Sequence, residues 1–211
     1  NNKGWSKHKQ YSIPDKLRET ANMYWCFGVS REIRFELNCR KHNETAKILT
    51  WDPTPLSQLT VNSANSGGYR IEHTNKAYDK ESGRILKFYA INESKKCYQL
   101  DRPENPHDEI EVETINLKTI AEQHGRDVDV IKLDIEGRWH EMLTEILDLG
   151  LAPKIVLVEC EMYIGDHDAQ FLKLDSIVER YQKTGFTVLT NRQTNEECVE
   201  LCFLKYNEAT F

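Results

Sequence analysis

No apolar run in the chain approaches the roughly 18 residues that a membrane-spanning helix needs, so no such span is expected. Cysteine is scattered: none of Cys26, Cys39, Cys97, Cys160, Cys198 and Cys202 stands in a CxxC pair or a Cys/His cluster, which argues against structural zinc. Glycine-rich turns are scarce too. Gly28-Val29-Ser30-Arg31-Glu32 is not GxGxxG, so a dinucleotide ligand is disfavoured. Positive charge is in deficit, with 28 Lys and Arg against 34 Asp and Glu and a formal net charge of −6. That balance lacks the basic footprint of a nucleic-acid-binding protein, and nucleic acid is not an expected partner.

What remains is a chain of 211 residues, 39% hydrophobic and 29% charged, in the range of a folded globular protein. At this length folding buries roughly 70% of the surface of the unfolded chain, enough core without a disulfide or metal. One domain over residues 1–211 is expected, with residues 1–20 as a solvated lead-in. The sequence opens at Asn1 and is expected to be a piece of a larger protein with neighbouring domains. Its compartment stays open, the cytoplasm being preferred.

Short apolar runs at residues 23–27, 47–52, 85–91, 128–135 and 155–158 read as buried strands. Helical spacing follows several of them, at residues 30–42, 117–125, 139–149 and 168–183, while residues 62–68 read as a turn or loop. Strands alternating with helices predict a doubly wound α/β fold, a mostly parallel sheet covered on both faces. The last two strands, residues 186–189 and 199–204, flank a short polar loop and predict an antiparallel edge.

Ligands of such sheets bind beyond the carboxyl ends of the strands, where strand order reverses. The residues placed there are Gly28, Val29 and Ser30, then Asp52, Asn92, Asp134 to Gly137, and Glu159 to Glu161. Gly28 allows a ligand to approach the backbone closely. Asp52 suits a ribose diol, because its two oxygens can accept both hydroxyl protons. Asp134 and Glu159, at the ends of neighbouring strands, would face one acidic cleft as a general base or as oxygen ligands of a divalent cation. Lys132, on the same strand face, could instead simply neutralise Asp134. His140 is a further base candidate in the first turn of the next helix, and Tyr163 and His167 lie over the same end of the sheet.

The run Val128-Asp129-Val130-Ile131-Lys132-Leu133-Asp134-Ile135-Glu136-Gly137 resembles the IDxLKxDxEG signature of FkbM-like S-adenosylmethionine-dependent methyltransferases. In the same order, residues 27–36, Thr50-Trp51-Asp52-Pro53-Thr54-Pro55, Val156-Leu157-Val158-Glu159, Gly185-Phe186 and Glu200-Leu201-Cys202-Phe203 are similar to further motifs of that family. Arg138 stands where the family often has a small residue. The resemblance implies a Rossmann-like class I methyltransferase sheet of seven strands. It implies S-adenosylmethionine with its methionine part against Gly28, Val29 and Ser30, its ribose on Asp52-Pro53 and its adenine near Ile91-Asn92. Asp134 and Glu136 would border the methyl group. The activity implied is O-methylation of a sugar, a glycan or a related small molecule. Asp134 and Glu159 would serve as base, or as a site for Mg²⁺ or Mn²⁺, with Glu136 and His140 behind them. A catalytically inactive binding module of the same fold is the alternative, and an RNA methyltransferase is disfavoured by net charge.

Overall fold

The computed structural model describes residues 5–8, 11–90, 98–100, 102–162, 166–195 and 198–205. The chain enters through a hairpin, β1 (Trp5–His8) and β2 (Tyr11–Pro14), and a short helix, α1 (Asp15–Thr20). Two strand–helix pairs and a strand follow: β3 (Met23–Phe27), α2 (Arg34–His42), β4 (Lys47–Trp51), α3 (Pro55–Ser66) and β5 (Ile71–Thr74). An excursion then forms β6 (Ala77–Tyr78), β7 (Ile85–Ala90), β8 (Tyr98–Gln99) and β9 (Glu109–Ile115) before α4 (Leu117–His124). The remainder is β10 (Val130–Leu133), α5 (Trp139–Asp148), β11 (Ile155–Glu161), α6 (His167–Lys183), β12 (Phe186–Asn195) and β13 (Cys198–Lys205).

Among the described residues seven strands form the main sheet in the order β12-β13-β11-β10-β3-β4-β5. Neighbours from β11 through β5 run parallel, and β13 runs antiparallel to both β11 and β12. This is the expected doubly wound α/β sheet with an antiparallel hairpin at one edge. The strands are apolar throughout because successive side chains point to opposite faces and both faces are covered. Trp25, Phe27, Ile131, Leu133 and Val156 join a core with residues of α4, α5 and α6. Tyr24, Cys26, Ile48, Val130 and Leu157 join a second core with residues of α1, α2 and α3. No helix among the described residues is long and apolar enough to cross a membrane.

Four expectations are corrected. The third parallel strand is β5, not residues 85–91: its sequence Ile-Glu-His-Thr is too polar to read as buried, because it borders the sheet with a single strand neighbour. Residues 85–90 do form a strand, β7, but it belongs to a separate four-stranded sheet of order β6-β9-β7-β8. Residues 62–66, read as a loop, are the end of α3, whose start is set by Pro55 in its first turn. From Tyr11 onward the lead-in is packed and not solvated, since Tyr11, Ile13 and Leu17 are buried in the second core.

Candidate active site

The order of strands reverses between β3 and β10, and the carboxyl ends of these two strands lie side by side. The Asp134 amide donates to the Phe27 carbonyl at 3.1 Å. Gly28 follows with a φ of +73°, and a Cβ there would stand 1.6 Å from the Asp134 carbonyl oxygen. The close approach that requires glycine is therefore to the neighbouring strand. The loop then turns through Ser30, at a φ of 41°, and is stapled to the end of β4. One oxygen of Asp52 accepts the amides of Val29 at 2.8 Å and Ser30 at 2.7 Å, and the other accepts the Thr54 amide at 2.8 Å. Asp52 thus braces the loop first, and only its second oxygen keeps room for another donor.

Above these strand ends lies a cleft of about 1120 Å³. Its floor is Gly28 to Ser30, Asp52 to Thr54 and Asp134 to Glu136, and the small sheet closes it with Tyr78, Phe88, Tyr98 and Leu100. The expected acidic character is not found: acidic and basic side chains among its lining balance at four each.

Asp134 lines the cleft. Burial pushes its carboxyl up to about 7, Lys132 opposes this, and the charges of Glu159 and Glu136 add to it. Lys132 is 3% exposed, yet its Nζ lies 3.1 Å from Glu36 Oε1 and donates to the Gly28 carbonyl at 2.9 Å. Burial alone would lower the Lys132 pKa, but Glu36 and Asp134 outweigh it and hold the ammonium charged. Lys132 is therefore shared: it pairs with Glu36, supports the loop and also favours the charged form of Asp134. Beyond the strand, Glu136 takes a left-handed φ of 25°, and the Gly137 amide donates to Glu161 at 3.0 Å. Burial, then Glu136, raises the Glu161 carboxyl well above its ordinary range. Ser30 and Glu136, the non-glycine residues of positive φ among those described, both line the cleft, where strained backbone tends to collect.

Of the residues singled out by sequence, Gly28, Val29, Ser30, Asp52, Pro53, Asp134 and Glu136 converge on this cleft. Glu159 does not line it; it sits within β11, accepts a hydrogen bond from Cys198 Sγ at 3.1 Å and acts on Asp134 through its charge. His140 does not line it either. Its ring packs edge-on to Trp139 at 5.5 Å, and burial, aided by Lys173, lowers its pKa. Ile91, Asn92 and Tyr163 lie outside the described residues. Sequence reasoning missed Tyr11, which approaches from the lead-in and carries no local motif, and it gave no individual role to Glu36 or Glu161, although both stand in segments it had picked out.

A family model described as the methyltransferase FkbM domain matches residues 17–186. The chain belongs to that family. It is accordingly a methyltransferase by family. No curated protein matches its sequence. Solved structures share the fold. Fibrillarin, the pre-rRNA processing protein of Methanococcus jannaschii, is 10% identical with a TM-score of 0.53, covering 96% of this chain and 71% of its own. A Streptococcus mutans protein described as a methyltransferase and solved with SAH is 8% identical with a TM-score of 0.53, covering 91% of this chain and 94% of its own. The ribosomal protein L11 methylase of Lactobacillus delbrueckii subsp. bulgaricus is 12% identical with a TM-score of 0.50, covering 89% of this chain and 72% of its own.

The FkbM domain's donor set bears on the two groups expected in the cleft. A buried, unpartnered hydroxyl, Thr54 Oγ1, and the remaining capacity of Asp52 stand beside aromatic walls, a combination that fits a nucleoside. A metal finds less support: among the described residues no group of three or more Asp, Glu, His or Cys side chains gathers to hold one.

Proposed function

We propose that this methyltransferase acts on a hydroxyl oxygen of a sugar, a glycan or a related small molecule, with Asp134 as general base. The observation that carries the reading is the Asp134 carboxyl, which lines the cleft and is pushed up to about 7 by burial and neighbouring acids. A sugar hydroxyl is a weak acid, and a base tuned near neutral pH is what its deprotonation asks of a protein. Nitrogen acceptors that carry a free lone pair make no such demand. When bound, S-adenosylmethionine supplies a methyl on a sulfonium, displaced in line by the acceptor oxygen with SAH as the leaving thioether.

The chain's own residues divide the remaining work. Gly28 to Ser30, stapled by Asp52, would receive the amino-acid end, and Asp52 and Thr54 the ribose. The adenine would lie against Pro53 and Tyr78, since the strand after β4 is β5 and the wall beyond it is the small sheet. Asp134 then takes the acceptor proton as the new C–O bond forms, and the charged Lys132 beneath it keeps the carboxylate available. The aromatic walls with interspersed carboxylates and cations suit an acceptor that has both C–H faces and hydroxyls.

The test follows SAH formation by the purified chain with S-adenosylmethionine and a panel of mono- and oligosaccharides, ribosomal RNA and ribosomal proteins. Transfer to a sugar oxygen is expected, falling by about 10²- to 10⁴-fold in Asp134→Asn with SAH binding kept. Transfer to RNA or to protein nitrogen, or full turnover in Asp134→Asn, would overturn the reading.

A further inference from the structure

Tyr11 belongs to the lead-in hairpin and precedes residues 17–186, the span that the family model matches. It is nonetheless a wall of the cleft, 5% exposed. Its ring is clamped from two sides, edge-on to Phe35 of α2 at 6.0 Å and with Lys132 Nζ of β10 at 5.1 Å from the ring centroid. The hydroxyl, fully buried, has no hydrogen bond of regular geometry. Besides Lys132 against the ring, the charges that act on the hydroxyl are carboxylates, Asp134 first, then Glu159 and Glu161 from β11. An O–H among carboxylates can only donate, and the group that its interaction favours in the charged form is Asp134. Catalytic hydrogen bonds are often long before substrate binds, so the loose approach is compatible with a working contact.

We propose that Tyr11 is a positioning residue for methyl transfer: from a hairpin outside the matched domain, its hydroxyl keeps the Asp134 carboxylate charged and turned toward the sulfonium. Asp134 is faced by Lys132 from its own strand, Glu136 from the following turn, Glu159 and Glu161 from β11 and Tyr11 from β2. Three of these are acids that oppose its charge. Lys132 favours it but is held by Glu36 and the Gly28 carbonyl, which leaves Tyr11 as the hydrogen-bond donor on that side. The inference rests on the reading that Asp134 borders the methyl group.

S-adenosylmethionine and SAH differ by one methyl and one positive charge, so their relative affinities report the carboxylate that faces the sulfur. Both would be titrated calorimetrically into the full chain, into Tyr11→Phe and into Asp134→Asn, with thermal unfolding of each protein alone. Asp134→Asn is expected to weaken S-adenosylmethionine about tenfold while SAH changes less than about twofold. Tyr11→Phe should show the same selective loss, about threefold to tenfold, with an unfolding temperature equal to or above that of the parent. Phenylalanine keeps the clamped ring and removes a hydroxyl that lacks a regular partner, so a folding defect is not expected. Equal losses for both ligands, or no loss, in Tyr11→Phe would overturn the proposal while leaving Asp134 in place. No selective loss in Asp134→Asn would overturn both, because the carboxylate would then not face the sulfonium.

Discussion

Ionising Asp134 in the folded chain costs free energy, because burial and the charges of Glu159 and Glu136 oppose it more than Lys132 and Tyr11 favour it. The folded carboxyl sits near 7, above the ordinary value of roughly 4 in an unfolded chain. Its contribution to stability is therefore fully present below the unfolded value and is lost as pH rises through about 7. Turnover should run the other way and climb with pH over the same window, since the base must be ionised. Asp134→Asn is accordingly expected to match the parent in urea unfolding near pH 4 and to exceed it at pH 8, by about 1–3 kcal/mol. An equal gap at both pH values would show that the carboxyl is not perturbed in this way. This residue was legible in the sequence because strand-end positions in a parallel sheet face the ligand side. The groups that tune it were legible in part: Glu136 and Glu159 stand at strand ends, whereas Tyr11, and Glu36 through Lys132, are brought to it by the fold, which no local pattern encodes.

Elements were legible where burial on both faces forced apolar runs, as in β3, β4, β10 and β11, and ambiguous where it did not. Ile85 to Ala90 has the composition of a central strand, yet β7 pairs antiparallel with β8 and β9 and becomes part of the cleft's cover. Composition gives the tendency to extend but not the partner, so a strand expected in the main sheet lies in the small one. The small sheet is tied to the main body at Tyr78, whose hydroxyl donates to Glu145 of α5 at 2.8 Å. The Lys118 amide donates to the other oxygen of Glu145 at 3.3 Å, so one carboxylate joins α4, α5 and β6. Tyr78→Phe keeps the ring that lines the cleft and removes this tie. A loss of about 1 kcal/mol is expected, read as a drop of roughly 2–4 °C in unfolding temperature. S-adenosylmethionine affinity should fall as well, if the small sheet closes over the adenine. A lower unfolding temperature with unchanged affinity would separate the small sheet from cofactor binding.

At the scale of the whole molecule, fold similarity leaves the acceptor open and charge bears on it. The fold is shared with fibrillarin and with the ribosomal protein L11 methylase, at 10% and 12% identity, which speaks to architecture and not to substrate. Charge is the more discriminating property. An RNA acceptor is held largely through its phosphates, and a protein making 6–10 such contacts on duplex nucleic acid loses about 10³- to 10⁵-fold in affinity between 50 and 200 mM salt. This chain has six more acidic than basic side chains, and its cleft lining is balanced between the two signs. A neutral sugar in such a cleft is bound by hydrogen bonds and ring contacts, which the ionic atmosphere barely screens. The Michaelis constant for a saccharide acceptor is therefore expected to change by less than about twofold across that salt range. SAH formation at fixed S-adenosylmethionine measures it, and a Michaelis constant that rises by several orders of magnitude with salt would transfer the assignment to a polyanionic acceptor.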